Sequence, residues 1–405
     1  MSILIDELFA SVALGHFWVD LLNGTLGVLL AYLSVPLGLT NWALGAVSTG
    51  YMILQSLVQP VSGYLTDRIG PRWLTAGGVL WMGVFFGLAA VIPGQAALVF
   101  LILASMGSGS FHPAGSSQAT LLGRVHMAGK ETTTASYFFV SGQGGYFFGP
   151  LVGGPLLERF GLLGILPFIL GTIPVGAFSG WQMRRAIRPH IDRSSATGVQ
   201  SILPRPAVSG WVIAALAGTA ICQSFLSSNM GTFVPKYLAD LGQSAGVYGP
   251  IAALYMGGSA LGNVIGGLLG DRFNRRLVIA GVLLTAALPL YLIGLIGFSP
   301  VLYVLIPLTG ICTGAANTSI FVTSQRMFPG STGLAAGLIL AFMFSSGSVG
   351  TLLCGKLADI HGFPIVFWIT AVMVAVGGLL ALTLHEPSVE PIILSPAAEP
   401  GVGQG

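Results

Sequence analysis

Twelve long apolar stretches, separated by short polar breaks, run along nearly the whole chain. A helix needs about 20 consecutive apolar residues to cross the hydrocarbon core of a bilayer. Only 7% of the residues are charged, whereas soluble domains carry about a quarter. The sequence therefore predicts an all-α membrane protein with twelve transmembrane helices in a lipid bilayer. The predicted spans are 8–32, 41–65, 73–92, 95–122, 135–157, 162–183, 210–238, 247–269, 277–297, 301–325, 333–357 and 364–384.

The composition also argues against other classes of protein. No tract is rich in Lys and Arg and the formal net charge is only +3, so no nucleic-acid partner is expected. The three cysteines, Cys222, Cys312 and Cys354, lie in apolar runs and imply no disulfide framework. No HExxH, CxxC or glycine-rich phosphate loop occurs, so we expect no enzyme activity, no metal site and no cofactor.

The distribution of basic residues predicts the orientation of the helices. Lys and Arg concentrate in the cytoplasmic loops of membrane proteins. With a cytoplasmic N-terminus, every Lys and Arg falls in a cytoplasmic loop except Arg159, Lys236 and Lys356. We therefore expect a multi-pass protein of the cell (inner) membrane with both termini in the cytoplasm. The first helix lacks a basic flank and a cleavage site, so we expect it to be retained.

The longest polar segment divides the chain into two halves of equal helix number. We predict a six-helix bundle at 1–183, a cytoplasmic linker at 184–209 and a second six-helix bundle at 210–385. The proline-rich segment 386–405 is predicted to be a disordered cytoplasmic tail.

The two halves carry matching sequence segments. GYLTDRIGPR (Gly63–Arg72), after span two, corresponds to GLLGDRFNRR (Gly267–Arg276), after span eight. A second match relates spans five and eleven and aligns Glu158 with Asp359. Internal repeats of this kind are typical of transporters. We predict a duplicated bundle whose gating residues are Gly63, Asp67, Arg68, Arg72, Asp271, Arg272 and Arg276, although simple topology and solvation would also explain these charges.

These segments resemble the major facilitator superfamily, whose signature loop follows span two. Four further stretches are similar to the fosmidomycin resistance protein group within it: Gly15–Asp20, Leu54–Arg68, Gly107–Ser117 and Ala341–Gly362. The resemblance implies a monomer of two pseudo-symmetric bundles that exports small molecules by alternating access as protons enter. It also implies that the loop aspartate meets the N-terminal end of span eleven. The chain departs from the group at Ala114 and Ser117, where an acidic residue and an arginine are usual.

Three ionisable residues are predicted to lie deep in the membrane, where such groups are expensive and are functional candidates. Asp20 lies near the middle of span one, His16 lies one helical turn before it, and His112 precedes Pro113 in span four. A neutral, hydrogen-bonded structural role is the alternative for each. We predict that Asp20, His16 and His112 couple transport to protons.

Polar side chains recur along one face of spans two and eight. Such stripes either join neighbouring helices or line a cavity, and their presence in both halves favours a cavity. We predict that the substrate cavity is lined by Asn23, Tyr51, Gln55, Gln59, Gln143, Gln223, Tyr255, Ser259, Asn263 and Asn317.

The predicted function is a proton-coupled efflux antiporter for small organic compounds. The alternative is a proton-coupled symporter or facilitator that takes up a small organic anion or sugar. An intramembrane hydrolase is disfavoured, because Ser108 and Ser110 cannot both face the His112 imidazole on one helix. The cavity has no deep Lys or Arg, so a neutral or weakly charged amphipathic substrate is expected over a dianion.

Overall fold

The computed structural model describes residues 6–126, 131–186, 209–327, 341–342 and 345–384. The described part of the chain is helical and contains no strand. Its α-helices are α1 (Glu7–Ser34), α2 (Asn41–Ile69), α3 (Arg72–Val91), α4 (Ala96–His126), α5 (Glu131–Phe160), α6 (Leu166–Gln182), α7 (Gly210–Asp240), α8 (Ala245–Arg272), α9 (Arg275–Ile296), α10 (Leu302–Met327), α11 (Ser348–His361) and α12 (Pro364–Leu382).

The predicted fold class is confirmed. Within the described residues, nine segments are long and apolar enough to cross a membrane, and one of them, Ser136–Arg185, joins α5 and α6 through a 3₁₀ turn. α2 is not among the nine because of its polar stripe, and the described part of α11 is short at 14 residues. Large apolar side chains such as Leu57, Leu268 and Leu353 are exposed on the outer surface, where lipid would cover them.

The polar breaks are shorter than the sequence suggested. Asp67 and Arg68 belong to the last turn of α2, and Arg72 begins α3, so the predicted loop shrinks to Gly70 and Pro71. Gly70 ends α2 with a φ of +89°, a conformation that side chains other than glycine rarely adopt. The break between α8 and α9, which is the second copy of this segment, is equally short. Asp271 and Arg272 end α8, and Arg276 lies in the first turn of α9, where Asn274 caps the helix by accepting the Arg276 N–H.

Glycines bring α1 and α5 into close contact in the first half. A Cβ on Gly145 would collide with the backbone of Phe17, and one on Gly149 would collide with the backbone of Leu21. Small residues let membrane helices approach this closely. The approach matters for function because it places α5 directly against the middle of α1.

The two halves meet mainly through α5 on α8 and α2 on α11. Gly154 of α5 packs against Gly249 of α8, and Gly45 of α2 packs against the backbone of Thr351 in α11. Nearly all of the predicted linker and the whole predicted tail lie outside the described residues. The domain boundaries therefore stay a prediction.

Candidate functional site

Asp20 lies at the centre of a cluster of three ionisable side chains between α1 and α4. It is the one carboxyl group that is buried in the described part of the chain. The Nε2 atom of His16, one turn earlier on α1, lies 3.1 Å from Asp20 Oδ2. The Nε2 atom of His112, on α4, lies 3.4 Å from Asp20 Oδ1. The structure thus brings the three predicted proton-coupling residues together, and we call this cluster the Asp20 centre.

Backbone carbonyls orient both histidine rings. His16 Nδ1 lies 2.7 Å from the Phe138 carbonyl oxygen on α5. His112 Nδ1 lies 2.8 Å from the Ser108 carbonyl oxygen, nearer than the Ser108 hydroxyl at 3.3 Å. A carbonyl oxygen can only accept a hydrogen bond, so each Nδ1 carries a hydrogen and donates it. Each ring therefore turns its Nε2 atom towards Asp20.

The two histidines differ in their surroundings. The His16 ring stacks on Phe138, with ring centroids 3.9 Å apart and an angle of 17° between the planes. Its side chain is 4% exposed, whereas that of His112 is 25% exposed. The rings of His16 and His112 meet edge to face at 5.1 Å. His112 is therefore the member of the centre that solvent reaches most easily.

Asn23 links the Asp20 centre to the predicted substrate cavity. Its amide nitrogen donates to Asp20 Oδ1 and to the Ser108 hydroxyl, both at 2.9 Å. Its amide oxygen accepts a hydrogen bond from the Tyr51 hydroxyl at 2.5 Å. Tyr51 lies on α2, so three helices share this network. A change at Asp20 would be transmitted through Asn23 to both α2 and α4.

Gly142 closes the centre from the side of α5. A Cβ at this position would lie 2.5 Å from the His16 ring and 2.6 Å from Asp20 Oδ2. The sequence alone did not place Gly142 at the ionisable cluster. It likewise missed the carbonyl groups of Phe138 and Ser108, since backbone acceptors leave no trace in residue type.

The rest of the predicted first-half cavity continues from Tyr51 along α2. Gln55 and Gln59 are buried, and Gln143 on α5 is half-buried beside Gly142. Within the described residues, the Gln55 amide oxygen is buried without a hydrogen-bond partner. A buried acceptor of this kind is available to a ligand or to water.

The second half carries uncharged residues where the first half has its ionisable centre. Gln223 and Ser227, one turn apart on α7, are hydrogen-bonded at 3.2 Å. The Tyr255 hydroxyl donates to Thr313 at 3.3 Å, and Asn263 accepts from Thr318 at 2.9 Å. Ser259 and Asn317 are half-buried on α8 and α10. Tyr255 also hydrogen-bonds to Ser227, so Gln223, Ser227, Tyr255 and Thr313 form an uncharged network. That these residues line the substrate cavity stays a prediction.

The predicted gating residues occupy one end of the bundle. Asp67 and Arg68 are exposed, and Arg68 stacks over the Tyr64 ring at 4.7 Å. Arg72 donates to the Gly180 carbonyl at 2.8 Å and so ties α3 to α6. The predicted partner of Asp67, the beginning of span eleven, lies outside the described residues.

The remaining gating residues are found near the same breaks. Gly63 is half-buried and lies near Pro113 of α4. Asp271 pairs with Arg275 at 3.3 Å, a partner that the sequence repeat did not suggest. Arg272 is exposed and Arg276 is half-buried. The sequence repeat is therefore not matched by identical contacts in the two halves.

Two acidic residues join the halves at the opposite end of the bundle. Asp359, at the end of α11, accepts the backbone N–H groups of Asn41 and Trp42 at 2.7 and 2.9 Å. These groups begin α2, where the helix dipole favours a negative charge. Glu158, at the end of α5, accepts the Ser244 hydroxyl at 3.0 Å, directly before α8 begins. The repeat-related residues Glu158 and Asp359 thus contact the beginnings of repeat-related helices across the interface, and Asp359 caps α2.

His16, Asp20 and His112 are also the one group of three metal-type ligands in the described residues, with ligand atoms within 4.8 Å of one another. The expectations that the protein holds no metal and no cofactor stay predictions.

Comparisons with known proteins place this geometry in a family. The family model described as Major Facilitator Superfamily matches residues 12–234 and 216–402. The fosmidomycin resistance protein of Escherichia coli strain K12 is 27% identical over 92% of this chain and 91% of its own length. The multidrug efflux pump Tap of Mycobacterium tuberculosis strain H37Rv is 25% identical over 75% of this chain and 73% of its own.

A solved structure agrees with the family match. The D-xylose–proton symporter superposes with a TM-score of 0.74 over 93% of this chain and 97% of its own, at 14% sequence identity. At that identity the likeness concerns the fold alone. The two family-model matches together cover nearly the whole described chain, and the chain belongs to the major facilitator superfamily of membrane transporters.

Proposed function

We propose that this protein is a proton-coupled antiporter that exports small organic compounds by alternating access. The observation that carries the proposal is the Asp20 centre, a buried carboxyl group in contact with two histidines midway along α1. Ionisable groups at membrane depth are expensive and mark ion pathways in transporters. The function also fits a family whose members are transporters.

The centre is suited to coupling because proton binding changes the contacts that hold it together. Both Nε2 atoms face carboxyl oxygens at ion-pair distance, 3.1 Å for His16 and 3.4 Å for His112. Protons on the histidines make these contacts attractive, whereas lone pairs facing a carboxylate repel it. Since His112 belongs to α4 and Asp20 to α1, loss of a proton loosens one helix from another. A change of access can follow from that loosening.

The contacts between the halves support alternating access. The contacts of Glu158, Asp359, Gly154 and Gly45 described above all lie at one end of the bundle. The gating residues lie at the other end, and Asp67 is exposed there. With the predicted orientation, the joined end faces outward, so the described contacts are those of a state that is closed to the outside. This is the state in which an exporter would take up its compound from the cytoplasm.

Export is favoured over uptake by the names of two relatives. The E. coli relative is called a fosmidomycin resistance protein and the mycobacterial relative is called a multidrug efflux pump. The D-xylose–proton symporter shares the fold and represents the alternative, proton-driven uptake. Transport by rocking of the two halves works in either direction, so direction is a question for experiment.

The side chains around the centre favour a neutral or weakly charged compound. The centre and the predicted cavity offer hydroxyl and amide groups from Asn23, Tyr51, Gln55 and Gln59, and Phe138 adds an aromatic ring that stacks on His16. In the described residues, the buried basic side chains Lys236 and Arg275 lie near helix ends and pair with Asp240 and Asp271. A phosphonate dianion would therefore meet amides and protonated histidines, but no lysine or arginine.

Reconstitution into proteoliposomes tests the proposal. Purified protein is first screened by thermal shift at two pH values against fosmidomycin, D-xylose, aromatic acids and hydrophobic drugs. A compound that stabilises the protein is then loaded into vesicles that carry an internal pH dye. We expect an outward compound gradient to drive protons inward. Compound movement that leaves the internal pH unchanged would contradict antiport, and proton movement in the same direction as the compound would establish symport.

A further inference from the structure

We propose that the Asp20 centre binds two protons in this state, one on the Nε2 atom of each histidine. The inference rests on the proposed function and deepens it, because it sets the number of coupling protons at this site. It follows from the hydrogen-bond partners of the two rings and needs no assumption about the substrate.

The tautomers of both rings are fixed by their backbone partners. The carbonyl oxygens of Phe138 and Ser108 lie 2.7 and 2.8 Å from the Nδ1 atoms of His16 and His112. Neither carbonyl can donate, so the one hydrogen of a neutral imidazole would be held on Nδ1 in each ring. Each Nε2 atom would then present a lone pair to Asp20.

The contacts with Asp20 therefore require additional hydrogens. His16 Nε2 and Asp20 Oδ2 are 3.1 Å apart, and His112 Nε2 and Asp20 Oδ1 are 3.4 Å apart. Two contacts to two different oxygens need two hydrogens, since a single hydrogen can satisfy only one of them. Each hydrogen is held by the ring nitrogen and not by the carboxyl oxygen, because imidazole is ordinarily the stronger base. The Asn23 amide already donates to Oδ1, but an amide hydrogen is not a transferable proton.

No other charged group offers an alternative account of these contacts. Among the described residues, the charged side chains that act on Asp20 are His16 and His112 alone. The other titratable groups that face the centre are hydroxyls, Tyr51 from α2 and Tyr146 from α5. Both tyrosines are hydrogen-bonded to Asn23, and neither is a hydrogen-bond partner of the carboxyl group.

The two protons have unequal structural consequences. His16 and Asp20 lie on the same helix, so their contact cannot hold two helices together. The contact of His112 with Asp20 joins α4 to α1, and His112 is also the more exposed ring. The His112 proton is therefore the one that exchanges first with solvent and the one whose loss frees α4. The His16 proton is less accessible to solvent, because the His16 ring is buried and stacks on Phe138.

Nitrogen NMR of the full chain in lipid nanodiscs, with ¹⁵N-labelled histidine, tests the proton count. The variants His16→Asn and His112→Asn assign the two rings among the six histidines, and spectra are recorded from about pH 5 to about pH 9. We expect both rings to be doubly protonated at low pH. Each should convert on titration to the form with hydrogen on Nδ1 and none on Nε2.

A ring that stays neutral at low pH, or one that keeps its hydrogen on Nε2 at high pH, would overturn the two-proton assignment. Its failure can be told apart from failure of the proposed function. One titrating ring, in a protein that still drives protons against its compound, would leave antiport intact. Two titrating rings in a protein that moves its compound without protons would contradict antiport and leave the proton count standing.

Discussion

Each half has a side-chain contact between residues one turn apart on its first helix, α1 or α7. The residues that form this contact are ionisable in the first half and uncharged in the second. On α1, His16 meets Asp20 one turn later at 3.1 Å, and on α7, Gln223 meets Ser227 one turn later at 3.2 Å. On α4, His112 completes the first centre, whereas the corresponding residue of α10 is Asn317. The spacing of this contact is retained in both halves, whereas among the described residues the cluster of two histidines and a buried carboxyl group lies in the first half. A duplicated fold can therefore divide proton binding from substrate contact.

Exchange of the carboxyl group for an amide should produce the largest difference between the halves. Asp20→Asn removes the negative charge that holds both histidines, so we expect uphill transport driven by a pH gradient to fall to the level of empty vesicles. The matched control Ser227→Asn changes the equivalent position of α7, and its rate should stay within about threefold of wild type, as expected for loss of one neutral hydrogen bond. Proteoliposome uptake under an imposed gradient measures both. Equal losses of transport in the two variants would show that the two halves do not differ in proton coupling.

Addition of a methyl group at Gly142, beside the Asp20 centre, should have the next largest effect on transport. Gly142→Ala places a Cβ 2.5 Å from the His16 ring, and overpacking of this kind costs about 1–3 kcal/mol. We expect a lower unfolding temperature and a transport rate reduced by about tenfold, since displacement of reacting groups by a fraction of an ångström weakens their contacts. Gly144→Ala, where the added Cβ meets Phe17 at an ordinary 3.5 Å, is the control on the same helix. Indistinguishable behaviour of the two variants would show that α5 does not press on the centre.

The two repeat-related tyrosines should differ in their importance. Tyr51→Phe removes the hydroxyl that donates to the Asn23 amide oxygen at 2.5 Å, and we expect a loss of about 0.5–1.5 kcal/mol because Tyr146 also hydrogen-bonds to Asn23. Tyr255→Phe removes a longer bond to Thr313, whose hydroxyl also donates to the Thr309 carbonyl. We expect the thermal stability of Tyr51→Phe to fall further than that of Tyr255→Phe. The reverse order would place the more important hydroxyl in the second half.

The smallest effects are expected at the ends of the bundle. Asp359→Asn weakens the cap on α2 by about 0.5–1 kcal/mol, and Glu158→Gln should act similarly at α8. Both should shift distances between spin labels towards separation of the halves at this end. Asp67→Ala, at the opposite end, should change the population of access states in the other direction if its predicted contact with span eleven exists. Unchanged distance distributions in all three variants would show that these carboxylates do not affect the separation of the two halves.

Much of the fold could be predicted from the sequence because lipid imposes a simple rule on helix length. The spacing of His16 and Asp20 also predicted their contact, since residues four apart on a helix are neighbours. The contact of His112 with Asp20 could not be derived in this way, because it depends on how α4 packs against α1. The same holds for Gly142 and the Phe138 carbonyl. The extension of α2 to Ile69 was missed because the charges of Asp67 and Arg68 were taken as the start of a loop.

We propose that the Asp20 centre links the movement of compound to the movement of protons. The most direct test uses vesicles at equal internal and external pH, loaded with the stabilising compound from the screen and with a pH dye. For wild type, we expect acidification of the lumen as the compound leaves. For Asp20→Asn, we expect the compound to leave without any change in pH. Acidification by Asp20→Asn at the wild-type rate would show that Asp20 does not couple the two movements.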